Sequence, residues 1–369
     1  MISLRTSACV LALLAALAAC GAPESVKLGF ISGQTGPFSD LGTAGLNGAI
    51  MAVEQRNAAG GVEGRPVKLI IRDDEHNTAK AQAAFEELVK EDVAAIIGPM
   101  TSSMAVSLVP LANRHRIVLM GGTVVTNSLS DLDDFFLRAI SPTPHYASHT
   151  AAFHIQHVHP RRIAVIFDAA NRDYAENWAM DYVTALQKTG DIHTNLIEID
   201  SRTPQDMAVA SETLLKTPPD LITCVCSART TARMMQMIRA HNSTIRFAAS
   251  AWAANQFVLE NAGKAAEGAL VEQYHDLSDP SPNYRAFVDA YQQRFRIAPD
   301  YAAVIAYDAT SIVLDGLSLN TDRASLKDTL LKKRHFKGLQ VPIDLNPQGD
   351  ATRPVFYTVV KNGQFAPIH

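Results

Sequence analysis

An α/β protein of two doubly wound, parallel-sheet lobes is what this 369-residue sequence predicts, on three observations. Short apolar strands alternate with amphipathic helices almost throughout, the pattern of parallel sheets covered by helices on both faces. About 350 residues follow a leader-like N-terminus, more than a single hydrophobic core usually holds, so two domains are expected. The alternation breaks at Ser141-Pro142-Thr143-Pro144, restarts, and breaks again at Ser278-Asp279-Pro280-Ser281-Pro282.

Taken in order, the N-terminus reads as an address. Arg5 supplies positive charge and Ala8–Ala16 is an apolar stretch too short to cross a bilayer, which takes about 20 residues. Leu17-Ala18-Ala19-Cys20 looks like a bacterial lipobox. Removal of residues 1–19 as a signal peptide and lipidation of Cys20 are therefore expected, giving a tether that does not span the membrane. An ordinary secretory signal with an incidental cysteine is the alternative. No later segment is expected to reach transmembrane length.

The strand Leu28–Ile31 enters a loop with Gly33, Gly36, Pro37 and Gly42, then a helix of about 16 residues whose apolar positions Leu46, Ile50, Met51 and Val53 recur at helical spacing. Gly60-Gly61-Val62-Glu63-Gly64-Arg65-Pro66 ends it, and Val67–Ile71 leads to Asp73-Asp74. Strands are predicted at Val26–Ile31, Val67–Arg72, Val93–Ile97, Ile117–Met120, Arg162–Phe167, His193–Ile199, Asp220–Cys226, Arg246–Ala249 and Leu270–Tyr274. Helices are predicted at Thr78–Glu91, Ala175–Lys188 and Pro204–Lys216 among others. No solenoid repeat or low-complexity tract is present.

With Arg5 removed, 32 basic residues face 37 acidic ones, a net charge of −5. Such mild acidity gives no basic stripe for a nucleic acid to bind. Cys224 and Cys226 stand two apart on one strand, pointing to the same face, and read as small buried apolar residues rather than as a disulfide or metal site. His145, His149, His154, His157 and His159 are dense, with two pairs at helical spacing. No acid lies between Asp134 and Asp168 to complete a ligand set, so a polar helix surface is preferred to metal. Asp73-Asp74-Glu75 reads as a solvated loop. The motifs G-x-S-x-G, H-E-x-x-H, G-x-x-x-x-G-K-[ST] and G-x-G-x-x-G are all missing from the chain; no enzymatic activity, cofactor or metal is expected.

Gly98-Pro99-Met100-Thr101-Ser102-Ser103 follows a strand and opens a helix. Hydroxyls and N–H groups at a helix N-terminus can seat a carboxylate or carbonyl oxygen, and they equally suit plain N-capping. Trp252, one of two tryptophans, falls in a loop at a strand's C-terminal end, where it suits either a cleft wall or loop packing. Phe38, Leu41 and Tyr301 could extend an apolar wall.

The run from Leu28 to Asp74 closely resembles the start of mature type I periplasmic binding proteins, in particular the branched-chain amino acid and amide group that serves ABC importers. The resemblance extends over nearly all of residues 26–361 and implies two lobes joined by a three-strand hinge. Residues 26–141 plus 275–350 would form lobe 1, and 142–274 plus 351–369 lobe 2. Ligand would sit between them, beyond the carboxyl ends of the strands. In the family the G-P-x-x-S-S loop supplies a ligand-binding hydroxyl, which maps onto Ser102, with Ser103 beside it. The next loop, Gly121–Asn127, stands where relatives hold an amino acid head group; here Val125 replaces a threonine, with Thr123 and Thr126 near. Tyr174 resembles a cleft-facing aromatic residue, and Ser227 stands where relatives often have tyrosine. A family disulfide is missing, its positions taken by His76 and Thr101.

Ala251 occupies the place of the acid that pairs a ligand's ammonium in branched-chain amino acid binders. A buried cation without an anionic partner is costly, so the ligand implied carries a carboxylate or amide, no α-ammonium, and an aromatic or branched body. Asp173 or Asp276 could restore the pairing. The implied partners are a small molecule, an ABC permease with its ATPase subunit, and a bacterial membrane reached through the lipid anchor, on the periplasmic or cell-surface side. A sensor of the same fold is the alternative.

Overall fold

The computed structural model describes residues 24–188 and 191–368; the proposed signal peptide and Cys20 lie outside the described residues. Five strands form the first sheet: β1 (Val26–Ser32), β2 (Val67–Asp73), β3 (Ala95–Ile97), β4 (Leu119–Gly121) and β5 (Phe136–Arg138). Their order is β2-β1-β3-β4-β5 and every pair is parallel. The register sets Leu28 beside Leu69 and Phe30 beside Ile97, and the apolar sequence of β1 follows from its burial under helices on both faces.

The second sheet contains β6 (Arg162–Asp168), β7 (His193–Ile199), β8 (Leu221–Val225), β9 (Arg246–Ala249), β10 (Leu270–Gln273), β13 (Phe356–Lys361) and β14 (Gln364–Ile368). Its order is β14-β13-β10-β9-β8-β6-β7. One correction to the expected parallel sheet is needed here. β13 returns antiparallel to β10, and β14 folds back antiparallel to β13 through the turn at Asn362-Gly363. A two-residue reversal allows only an antiparallel partner. A small ribbon, β11 (His335–Phe336) with β12 (Ile343–Asp344), completes the strands. The short β5, β11, β12 and β14 are not among the strands predicted from the sequence.

The helix after β1 runs from Ser39 to Ala58. Leu46 and Ile50 are only half-buried, whereas Gly45, Gly48, Ala49 and Ala52 are buried, and the helix packs along the Tyr301–Leu319 helix. A Cβ at Gly48 would lie 2.0 Å from the Ala303 carbonyl oxygen, so glycine is what lets the two backbones meet. The Tyr301–Leu319 helix corrects the expectation that nothing past the leader reaches membrane-spanning length: its 19 residues are long and apolar enough. Its burial among the other helices and strands makes it a core helix in this fold.

Three crossings join the two lobes, following β5, β10 and β12. Two buried arginines stitch them. Arg138 Nε donates to Asp350 Oδ1 at 2.6 Å, and its backbone N donates to Gly349 O at 3.0 Å. Arg353 Nη1 donates to Ala139 O at 3.1 Å, while its backbone N donates to Ser141 Oγ at 2.7 Å.

Two polar segments sit differently from their sequence reading. Asp74 is buried, with its carboxylate accepting from His76 N at 2.7 Å, and Asp73 accepts from Gln34 N at 2.8 Å and Thr35 Oγ1 at 2.7 Å. These acids pin the loop after β1 rather than lying in solvent. Of the five clustered histidines, His154 is fully buried and bonded to the Tyr182 hydroxyl at 2.6 Å, not on a helix surface. Cys224 and Cys226 are both buried and free.

Candidate functional site

Strands of both sheets aim their carboxyl ends at one cleft, and the loops after them supply its walls. Leu41, Met100, Thr123, Val125 and Tyr301 face Asn171, Tyr174, Trp252 and Tyr274 across a narrow cleft, its cavity volume only about 10 Å³ in this closed form. None of these nine side chains carries a charge. The walls are aromatic and mutually braced: Tyr174 meets Trp252 edge-on at 5.6 Å, and Tyr274 meets Tyr301 edge-on at 5.4 Å. Phe38 lies outside the cavity, closing its edge with ring centroids 5.2 Å from Trp252 and 4.5 Å from His76.

The cleft is closed by direct hydrogen bonds between lobes. Ser103 N donates to Asn171 Oδ1 at 3.2 Å, and Asp173 N donates to Ser103 Oγ at 3.2 Å. Thr126 Oγ1 donates to Asn177 Oδ1 at 2.8 Å, and Asn255 Nδ2 donates to Asp40 Oδ2 at 2.9 Å. His76 sits 2.8 Å from Ala170 O and 3.3 Å from the Thr101 hydroxyl, so the two positions that carry cysteine in some relatives are still neighbours.

The structure brings Thr123, Val125, Tyr174, Trp252 and Tyr301 together around the cavity. Thr123 lends its hydroxyl to Met100 O. Ser102 is buried behind the wall, its Oγ accepting from Thr126 N at 3.3 Å, and Ser103 serves the lobe contact. Ser227 caps its own helix, accepting from Thr230 N at 3.2 Å. Met100, Asn171 and Tyr274 were missed. Tyr274 had a signal: it ends a strand at a lobe crossing, where ligands of open α/β sheets bind.

Glu272 lies one layer behind this wall. It is 2% exposed, with Thr150 Oγ1 donating to Oε1 at 2.8 Å and Ala251 N donating to Oε2 at 3.1 Å. Burial raises its pKa to about 7. Asp300, which caps the Tyr301–Leu319 helix, is likewise pushed up to about 7 by burial.

Two facing α/β lobes with a cleft at their strand ends, joined by three crossings, are the architecture of the type I periplasmic binding proteins. The chain matches the family described as periplasmic binding protein over residues 25–364, and it belongs to that family. It is 22% identical to the Leu/Ile/Val-binding protein of Escherichia coli K12 over 330 residues, 89% of this chain and 88% of that protein. A leucine binding protein from Thermotoga maritima has the same fold, with a TM-score of 0.87 at 23% identity over 93% of this chain and 98% of the other. So does a solute binding protein from R. palustris in complex with benzoate, at a TM-score of 0.84 and 18% identity, covering 93% and 95% of the two chains.

Proposed function

We propose that this protein is the extracytoplasmic, lipid-anchored binding component of an ABC importer, closing on a small acid or amide that lacks an α-ammonium and delivering it to a permease. Residues 26–141 with 275–350 would move against 142–274 with 351–369. Thr123, Val125, Tyr174, Trp252 and Tyr301 would contact ligand, Phe38 would shield it, and Ser102 and Ser103 would brace the head-group loop. Ser227 would act through its helix.

One observation carries the reading: the cavity wall is uncharged and aromatic, and Ala251 leaves no acid on it. An ammonium enclosed there would lose its water without gaining a counter-ion. An anion is treated differently, because the Ser102–His115 helix directs its N-terminus at the Met100–Ser103 turn, and such termini favour negative charge. Aromatic walls suit a flat or branched apolar body. The benzoate held by the R. palustris relative supports this ligand class, while the leucine named for the Thermotoga relative marks the rival.

Calorimetry tests it: leucine and valine beside their 2-oxo and 2-hydroxy acids and benzoate. Tighter binding of the acids is expected. Tighter binding of either amino acid than of every ammonium-free analogue overturns the proposal.

A further inference from the structure

Four buried polar groups around Glu272 have no aligned hydrogen-bond partner: the Tyr174, Tyr274 and Ser250 hydroxyls and the Trp178 indole N–H. Tyr274 stands two residues beyond Glu272, just past the end of β10, with its hydroxyl in reach of the Glu272 carboxylate, and both Tyr174 and Tyr274 line the cavity. Each phenol has one proton to donate. Directed inward, the Tyr274 proton serves Glu272; directed into the cavity, it serves a ligand.

We propose, building on the acid-ligand reading above, that Glu272 and a bound carboxylate compete for the Tyr274 hydroxyl proton, so that the cleft takes up one proton at Glu272 when it takes an anion. The balance is simple. The ligand enters as its carboxylate, one proton comes from solvent to a Glu272 carboxylate oxygen, and no covalent bond is otherwise made or broken. The bound site then holds one negative charge rather than two.

Among the described residues Glu272 forms no ion pair, and the nearby Arg353 is committed to Asp308 at 2.8 Å. The titratable groups facing Glu272 are phenols: Tyr146 from the Thr143–Val158 helix, Tyr174 from the Arg172–Gln187 helix, Tyr274 just past its own strand, Tyr301 from its helix and Tyr357 from β13. Burial raises every one of them, Tyr146 to about 12 and the others further, so they stay protonated where the acid titrates. Glu272, raised by burial to about 7, is the group free to change.

The test is titration calorimetry with benzoate and 4-methyl-2-oxopentanoate on the full protein at pH 8, in buffers of differing ionisation enthalpy. Uptake approaching one proton per ligand is expected, with Kd rising towards about tenfold per pH unit above pH 7. Glu272→Gln should abolish the uptake and flatten the Kd profile. Should that variant fail to fold, infrared difference spectra of wild type must show a carboxylic-acid band gained on benzoate addition, displaced in Thr150→Val, which loses a donor to Glu272. Acid binding without proton uptake, or uptake unchanged in Glu272→Gln, overturns the inference and leaves the ligand class standing. Leucine binding with neither acid binding removes the ligand class, and the inference with it.

Discussion

Arg353 Nη2 donates to Asp308 Oδ2 at 2.8 Å, with the two side chains 1% and 0% exposed. The pair ties the last lobe crossing to the core helix Tyr301–Leu319. Asp308 Oδ1 also accepts from Leu339 N at 2.9 Å, and Arg353 O lies 2.8 Å from His145 Nε2. The hinge is thus anchored to lobe 1 by an ion pair whose polar atoms are met by surrounding bonds except at Arg353 Nε. Removing one partner leaves a buried charge unpaired, which costs about 3–5 kcal/mol. Asp308→Ala should lose that much in denaturant unfolding; a loss below about 1 kcal/mol would show that the hinge draws its stability elsewhere.

Trp252 and Ser227 separate the wall of the cleft from its supports. Trp252→Ala strips a large apolar surface from the cavity and should weaken acid binding by about 1.5–3 kcal/mol, or roughly ten- to a hundredfold. Ser227→Ala removes a helix cap, which should cost about 1 kcal/mol of stability while leaving Kd within about twofold. A large affinity loss from Ser227→Ala in calorimetry would place its hydroxyl on the ligand instead.

Asn177 accepts from Thr126 Oγ1 at 2.8 Å and from Ser128 Oγ at 3.3 Å, across the mouth and away from the cavity. Such bonds exist only when the lobes meet, so they stabilise the closed state alone. Asn177→Ala should weaken ligand binding by about 0.5–1.5 kcal/mol per bond lost and enlarge the liganded particle in small-angle scattering. Unchanged affinity and radius would mean that water replaces the latch at no cost.

Burial lowers the His154 pKa to about 3, below the unfolded value of about 6.5. The folded state therefore binds fewer protons than the unfolded chain between these values. Stability from this group is fully present above pH 6.5 and falls as the pH drops towards 3. At pH 5 the loss is about 2 kcal/mol. His154→Phe should shed that part of the acid sensitivity relative to wild type, measured by denaturant midpoints at pH 7.5 and 5; parallel profiles would refute it.

The lipid anchor makes a separate prediction. Cys20→Ser should release the protein from the membrane fraction or leave it unprocessed, as fractionation and N-terminal mass analysis would report. Wild type that is already soluble and begins at a residue other than Cys20 contradicts the anchor.

Much of the architecture was already legible in the chain. Strand and helix each bury one face or two, and that burial repeats at a period set by the backbone itself, so Val26–Ile31, His193–Ile199 and Pro204–Lys216 could be read from their own residues. Ala251 was likewise visible as a small residue at a strand's end. The short Phe136–Arg138 strand and the final strand Gln364–Ile368 were not, because so few residues carry little periodicity of their own.

What the tertiary structure alone decided is which side chains share the cleft. Ser102, Ser103 and Ser227 look alike as hydroxyls at helix starts. Only the packing of separate loops sends one to Thr126, one to the other lobe and one to its own helix. The same holds for Glu272: nothing near it in sequence says that Ala251 N and the Thr150 hydroxyl converge on it. Local periodicity sets a residue's face, whereas the sites that bind ligands are made where segments distant along the chain exclude water together.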